Sequence, residues 1–292
     1  MKKFLCGRKA LEHWGFVDVC TTLSLPDYPE YLVFSDRDFN RPSHVHWCQI
    51  KAARRYTENG ICTPPYLFLR YAHDLSPLQL IYLGLEMCSC PPGMRPLCSV
   101  RKLRDCALSL ERHRGRRKAL QAVKYIQNNS SSPMESKLYM QLCLPNFLGG
   151  CGFPKAVLNK PVQVESKQYY LDIYFPGTRL GIEYDSFEYH SNARSFSQDN
   201  LRDAKLRTAG YRLIHVKPGQ LNDLEAFQDL VTNISHQLKQ PIRIRTPKFF
   251  KPFKELFHFF KPSAYAPVDV FDVPQFRGAD RAFRDYQGRS SL

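Results

Sequence analysis

At 292 residues, 43% hydrophobic and 13% aromatic, the chain carries enough apolar side chain to fill folded cores, which excludes a globally disordered polymer. Its 42 Lys and Arg oppose 27 Asp and Glu, and the net charge of +15 favours a polyanionic partner such as nucleic acid, because neutralising phosphates releases condensed counterions. No run approaches the ~20 apolar residues needed to span a bilayer, and the ten cysteines show no disulfide rhythm, so the expectation is a cytoplasmic protein with no membrane partner.

Residues 1–130 read as a basic first region with short strands followed by helices. Tyr31–Phe34 and His44–Cys48 have strand character and flank a charged loop. His44 and His46 share a strand face, which suits either a metal pair or ordinary strand surface. Thr63-Pro64 and Ser76-Pro77 are helix-start signals, since proline at the first helical position wastes no donor, and they launch helices over 66–72 and 78–87. Cys88, Cys90, Cys98 and Cys106 are close in sequence, but their spacing is not that of a zinc knuckle and favours unligated thiols. Ser99 caps a further helix through Leu110, and the basic run Arg112–Lys118 contains Gly115, which can end one helix and admit the next.

Asn128–Ser132 is polar punctuation and marks a domain boundary, so residues 131–238 form a second region. Ser132-Pro133-Met134-Glu135 fits a capping box, which gives Glu135 a structural role. A helix through Leu144, a glycine-rich turn at 149–152, a strand at Val162–Val164, a hairpin, a helix over 199–209 closed by Gly210, a strand at Tyr211–Val216 and a helix over 224–238 follow. In the helix over 199–209, Asp199 with Arg202, and Asp203 with Arg207, have the spacing of helical ion pairs. The order predicts an α/β layer with a mixed central sheet flanked by helices. Residues 239–292 form a basic tail rich in aromatics and prolines. Its stretch 241–254 suits an extended arm against nucleic acid or a protein partner, with disorder and packing onto the body as the alternatives.

The hairpin, Tyr169–His190, carries the chemistry. Two runs rich in Tyr, Ile, Leu and Phe flank Pro176-Gly177-Thr178. Glu183 and Asp185, two residues apart, share a face of their strand. A loop with an even number of residues centred on Gly177-Thr178 sets Asp172 across from Glu183. Three carboxylates on one apolar patch repel one another and raise one another's pKa, and hard oxygen ligands of this kind suit Mg²⁺ or Mn²⁺. His190 can act as an acid or base, or can orient a phosphate.

The segment Leu171–His190, with Asp199, Arg202, Asp203 and Gly210–Ile214, resembles a bacterial family of unknown function grouped with the very-short-patch-repair endonucleases. That group belongs to the PD-(D/E)xK restriction-endonuclease-like superfamily, and the likeness covers 132–238. Thr63–Leu69 and Leu78–Met87 also resemble the amino-terminal part of actinobacterial members, some of them labelled with abortive-infection antitoxins. The resemblance implies a restriction-endonuclease-like fold preceded by a mixed, mainly helical amino-terminal domain. It also implies a metal-dependent endonuclease in which Asp172 and Glu183 bind the metal and Glu135 matches a first-helix acid. Asp185 stands where the superfamily usually carries a water-activating lysine. Two functions follow as expectations: hydrolysis of DNA phosphodiester bonds with Mg²⁺, or DNA-binding regulation, antitoxin-like, on a retained endonuclease fold.

Overall fold

The computed structural model describes residues 3–34, 44–48, 50–185, 193–242 and 247–259. Its contacts divide the chain into two compact units, Met1–Ser136 and Lys137–Leu292. Each is a mixed α/β assembly built on one mixed sheet.

In chain order the first unit holds β1 (Lys3–Cys6), α1 (Gly7–His13), α2 (Val17–Thr22), β2 (Glu30–Phe34), β3 (Val45–Cys48), β4 (Thr57–Glu58), β5 (Ile61–Cys62), α3 (Pro64–Tyr71), α4 (Pro77–Met87), α5 (Val100–Ser109) and α6 (Arg116–Ala122). The strands form one sheet in the order β3-β2-β1-β5-β4. β1 is therefore its middle strand, antiparallel to β2 and parallel to β5. Four residues are too few for period-two alternation to stand out, which is why this strand is not legible in the sequence.

The helix-start signals act as expected. The Ser76 side chain accepts from the Gln79 backbone N–H and Gln79 returns a bond to the Ser76 backbone, a full capping box. Ser99 accepts from Lys102 N–H at 3.3 Å, and α5 ends at Ser109. Gly115 starts α6 and does not terminate α5. His46, read as half of a histidine pair, is spent on the buried carboxylate of Glu30, which also faces Arg70 at 3.4 Å. Glu30 packs over Gly7, where φ is +64° and a Cβ would lie 2.6 Å from the carboxylate carbon. Only glycine lets β1 pass into α1 over that side chain. All ten cysteines are free, and Cys88, Cys98 and Cys106 are buried.

α7 (Pro133–Cys143) crosses the division between the units. After it come β6 (Val157–Val164), β7 (Lys167–Phe175), β8 (Leu180–Tyr184), α8 (Ala193–Thr208), β9 (Arg212–Val216), α9 (Pro218–Asn222), α10 (Leu224–Leu238) and α11 (Pro247–Phe259). The second sheet has the order β6-β7-β8-β9, antiparallel except for the β8–β9 pair, which α8 connects as a crossover. One core contains Leu158, Ile173, Phe175, Leu180 and Ile182, each at most 1% exposed. On α8, Leu206 packs with Val162, Val164 and Leu171. α8 begins at Ala193, six residues ahead of the expected start at Asp199, because nothing in 193–198 is a proline or glycine that would stop the helix propagating backward.

Of the readings open for 241–254, packing onto the body is the one seen from residue 247 onward, in place of an extended arm. Residues 247–259 form a helix whose Phe253, Leu256 and Phe257 are at most 4% exposed. Phe253 and Phe257 stack at 6.0 Å, and both meet Phe227 of α10. The spacing 253, 256, 257 is a helical stripe, and burial of three large side chains outweighs the cost of Pro252 within the helix. Gly149, at φ +87°, lets this helix approach, since a Cβ there would lie 2.2 Å from the Pro252 carbonyl oxygen. Among the described residues no helix is long and apolar enough to cross a membrane.

Phe257→Ala should destabilise the second unit by about 3 kcal/mol, the usual cost of emptying a buried phenylalanine site. Hydrogen-exchange mass spectrometry reads this as faster exchange in peptides covering 224–238, with peptides from 64–87 unchanged.

Candidate functional site

The register of β7 and β8 pairs Ile173 with Ile182, Tyr174 with Gly181 and Phe175 with Leu180. The ladder ends at the Ile173–Ile182 rung, and the intervening loop has the expected even length, 176–179. Asp172 and Glu183 are the residues just beyond that rung; Tyr184 N–H reaches Asp172 Oδ2 at 2.8 Å, and Asp172 acts on the Glu183 carboxyl, so the two acids are neighbours without forming a rung of the ladder.

On its other flank Asp172 meets an irregularity. The β6–β7 ladder includes Leu158 with Ile173 and Lys160 with Leu171, but not the rung between them, where Asn159 has a left-handed φ of +46°. A non-glycine residue at such a φ is uncommon, and such conformations concentrate where function demands them.

Burial sets the electrostatics. Glu183 is 6% exposed, and its carboxyl is pushed up to about 8, first by loss of water and then by the nearby Asp172, while Arg202 pulls the other way. The carboxyl of Asp172 is also raised, again mainly by burial, against the bond its Oδ2 accepts from Tyr184 N–H at 2.8 Å. Glu183 Oε2 accepts from Arg202 Nη2 at 3.0 Å, whereas Glu183 Oε1 is buried with no hydrogen-bond partner. A buried carboxylate oxygen left without a donor costs on the order of 1–3 kcal/mol, so stability alone does not account for it.

Asp185 follows a different course. Both its oxygens lie 3.1 Å from His215 Nδ1, and the opposite ring nitrogen, Nε2, lies 2.6 Å from Asp203 Oδ2. An imidazole clasped between two carboxylates needs a proton on each nitrogen, or one proton on an acid. This chain ties β9, the end of β8 and α8 together. His215 gets there by parallel pairing, since β9 sets it level with Glu183.

Arg202 and Asp203 reach the same place from α8. Arg202 Nη2 also donates to the Tyr170 carbonyl at 2.7 Å, and Nη1 lies 3.7 Å from Asp203 Oδ1. The helical pairing of Asp203 with Arg207 is present at 3.7 Å. Arg202, expected to pair with Asp199 along the helix, also reaches across to Glu183, because α8 borders the carboxylates. Sequence reasoning thus missed Arg202, Asp203 and His215 as members of the site. The signal available was weak: an arginine and an acid side by side on a helix, and a lone histidine inside a strand.

Glu135 is taken up as a capping acid. Its carboxylate accepts from Ser131 N–H at 2.8 Å and from the Ser131 and Ser132 hydroxyls, and its own N–H donates to Ser132 Oγ. It belongs to the first unit, the hairpin to the second. His190 lies outside the described residues.

Among the described residues no three Asp, Glu, His or Cys side chains converge to hold a metal ion. What fits a hard cation is the pair Asp172 and Glu183, a half-buried acid beside a buried one whose carboxyl it helps to raise, with one carboxylate oxygen still lacking a partner. Asp185, expected as a third metal ligand, is turned to His215.

Because the carboxyl of Glu183 is raised in the folded state, the fold binds this proton more tightly than the unfolded chain does. Its stabilising effect is full below the unfolded value and is lost as pH climbs from about 4.5 to about 8. Thermal unfolding should therefore show stability falling across that window, by at most about 5 kcal/mol. Glu183→Gln should flatten the fall and leave the variant more stable than the parent at pH 8.

Compared with family models, curated proteins and solved structures, the chain matches none.

Proposed function

We propose that the chain is a Mg²⁺-dependent DNA endonuclease of restriction-endonuclease-like type, acting in the cytoplasm, with its active site at the open end of β7 and β8. The observation that carries this reading is the neighbouring pair Asp172, half-buried, and Glu183, buried, on adjacent strands, with Glu183 Oε1 unsatisfied. Strands hold two ligands more rigidly than a loop would, which phosphodiester hydrolysis requires. The resemblance of 132–238 to the very-short-patch-repair group agrees with it.

Asp172 and Glu183 would hold the ion, which when bound supplies a polarised phosphate oxygen and an activated water. The chain's own residues divide the remaining work. Arg202 presents a guanidinium, the cation best shaped for phosphate, at the edge of the carboxylate pair. His215 and Asp203 hold Asp185 in place and tie α8 to the sheet. Exposed Arg101, Lys102, Arg104, Arg112, Arg114 and Arg117 of the first unit offer cations to the DNA backbone.

A second reading is a DNA-binding regulator that keeps the fold without the chemistry. Two contacts favour it: Arg202 already neutralises Glu183, and Asp185 is engaged by His215 where the superfamily usually has a lysine.

Plasmid cleavage in Mg²⁺ separates the two. The endonuclease reading expects nicking or linearisation that Asp172→Ala and Glu183→Ala each reduce by ~10²-fold or more, with DNA binding retained in a gel-shift assay. Binding without any cleavage by the wild type supports the regulator, and cleavage surviving both substitutions overturns this assignment of the site.

A further inference from the structure

We infer that Arg202 is the resident counter-ion of the carboxylate pair, and that it competes with a divalent cation for Glu183 until a phosphodiester oxyanion draws it away. The inference rests on the endonuclease reading and adds to it how the site is regulated.

The geometry gives Arg202 a definite attachment. Nη2 carries two protons, and it directs one to Tyr170 O at 2.7 Å and the other to Glu183 Oε2 at 3.0 Å. The guanidinium thus satisfies half of the Glu183 carboxylate and leaves Oε1 buried and bare. A divalent ion at that oxygen would share one carboxylate with a fixed positive charge, in a place where burial weakens screening. The alternative role, in which Arg202 merely orients Glu183 for the ion, offers only one oriented hydrogen bond. Repulsion between three units of positive charge on one carboxylate outweighs it.

Arg202 also has somewhere else to go. Its side chain is 25% exposed, unlike Glu183 at 9%. It sits beside Leu201 and Tyr170, whose exposures of 60% and 49% place it at the rim. Removing the guanidinium from Glu183 restores the full charge of the carboxylate pair, and a phosphate is the ligand a freed arginine binds best. Phosphate and cation then favour each other's binding, since each helps to vacate the position the other needs. Such coupling would keep the ion out until the nucleic acid is in place.

Calorimetric titration with Mg²⁺ alone tests the competition. Arg202→Gln should bind Mg²⁺ about tenfold more tightly than the wild type, while Arg202→Lys, which keeps the charge, should stay near the wild-type value. On the unmodified protein, Mg²⁺ should speed the reaction of Arg202 with phenylglyoxal, read by peptide mass spectrometry. This arm stands even where Arg202→Gln fails to fold. Binding by Arg202→Gln and none by the wild type also supports the inference. Binding that Asp172→Asn abolishes, but that Arg202→Gln leaves equal or weaker, overturns the inference and spares the endonuclease reading. So does protection of Arg202 from phenylglyoxal by Mg²⁺. Absence of binding in both proteins, or binding that Asp172→Asn does not alter, overturns the metal site and the inference together.

Discussion

Two carboxyls brought together just beyond the apolar rungs of β7 and β8 form the constraint around which the second unit is arranged. Asp172 and Glu183 lie close enough to interact, and withdrawal from water raises both carboxyls. Such a pair costs free energy that packing does not return. The surrounding structure compensates in part through Tyr184 N–H on Asp172 and Arg202 on Glu183. The remaining oxygen of Glu183 has no partner, and this residual imbalance is the strongest pointer to a ligand.

The crossover makes that arrangement possible. A parallel β8–β9 pair needs a connection that leaves one end of the sheet and returns to the other, and α8 provides it while laying its Leu206 face over Val162, Val164 and Leu171. The same docking brings Arg202 and Asp203, adjacent on the helix, to the carboxylate end of the strands. One apolar stripe thereby positions two charged residues. His215 then joins Asp203 to Asp185, so helix and sheet are linked by a polar chain as well as by packing. Three acids, Glu183, Asp185 and Asp203, one guanidinium and one imidazole thereby form a connected set, with Asp172 beside it.

The outer parts of the chain follow the same logic of burial. α11 forms because three large residues at helical spacing find Phe227 of α10, and Gly149 leaves room for its backbone. Composition alone, rich in cations, aromatics and prolines, describes an extended arm equally well. In the first unit Glu30 is retained at 4% exposure by His46 and Arg70, a buried ion pair whose histidine gives no hint of its partner in sequence.

What the sequence by itself determined is local or depends on register. The proline and serine starts of α3, α4 and α5 follow from capping chemistry, which needs only neighbouring residues. So does the role of Glu135 as a capping acid. The register of β7 on β8 was legible too, because loop length fixes register in a hairpin. Only the tertiary structure decided the rest. It showed that Arg202 turns to Glu183, that His215 joins Asp185 to Asp203, that β1 lies mid-sheet and that Pro247–Phe259 is a helix. Each of these depends on elements distant in sequence meeting over a shared apolar surface, and neither periodicity nor spacing within one element encodes which surface that is.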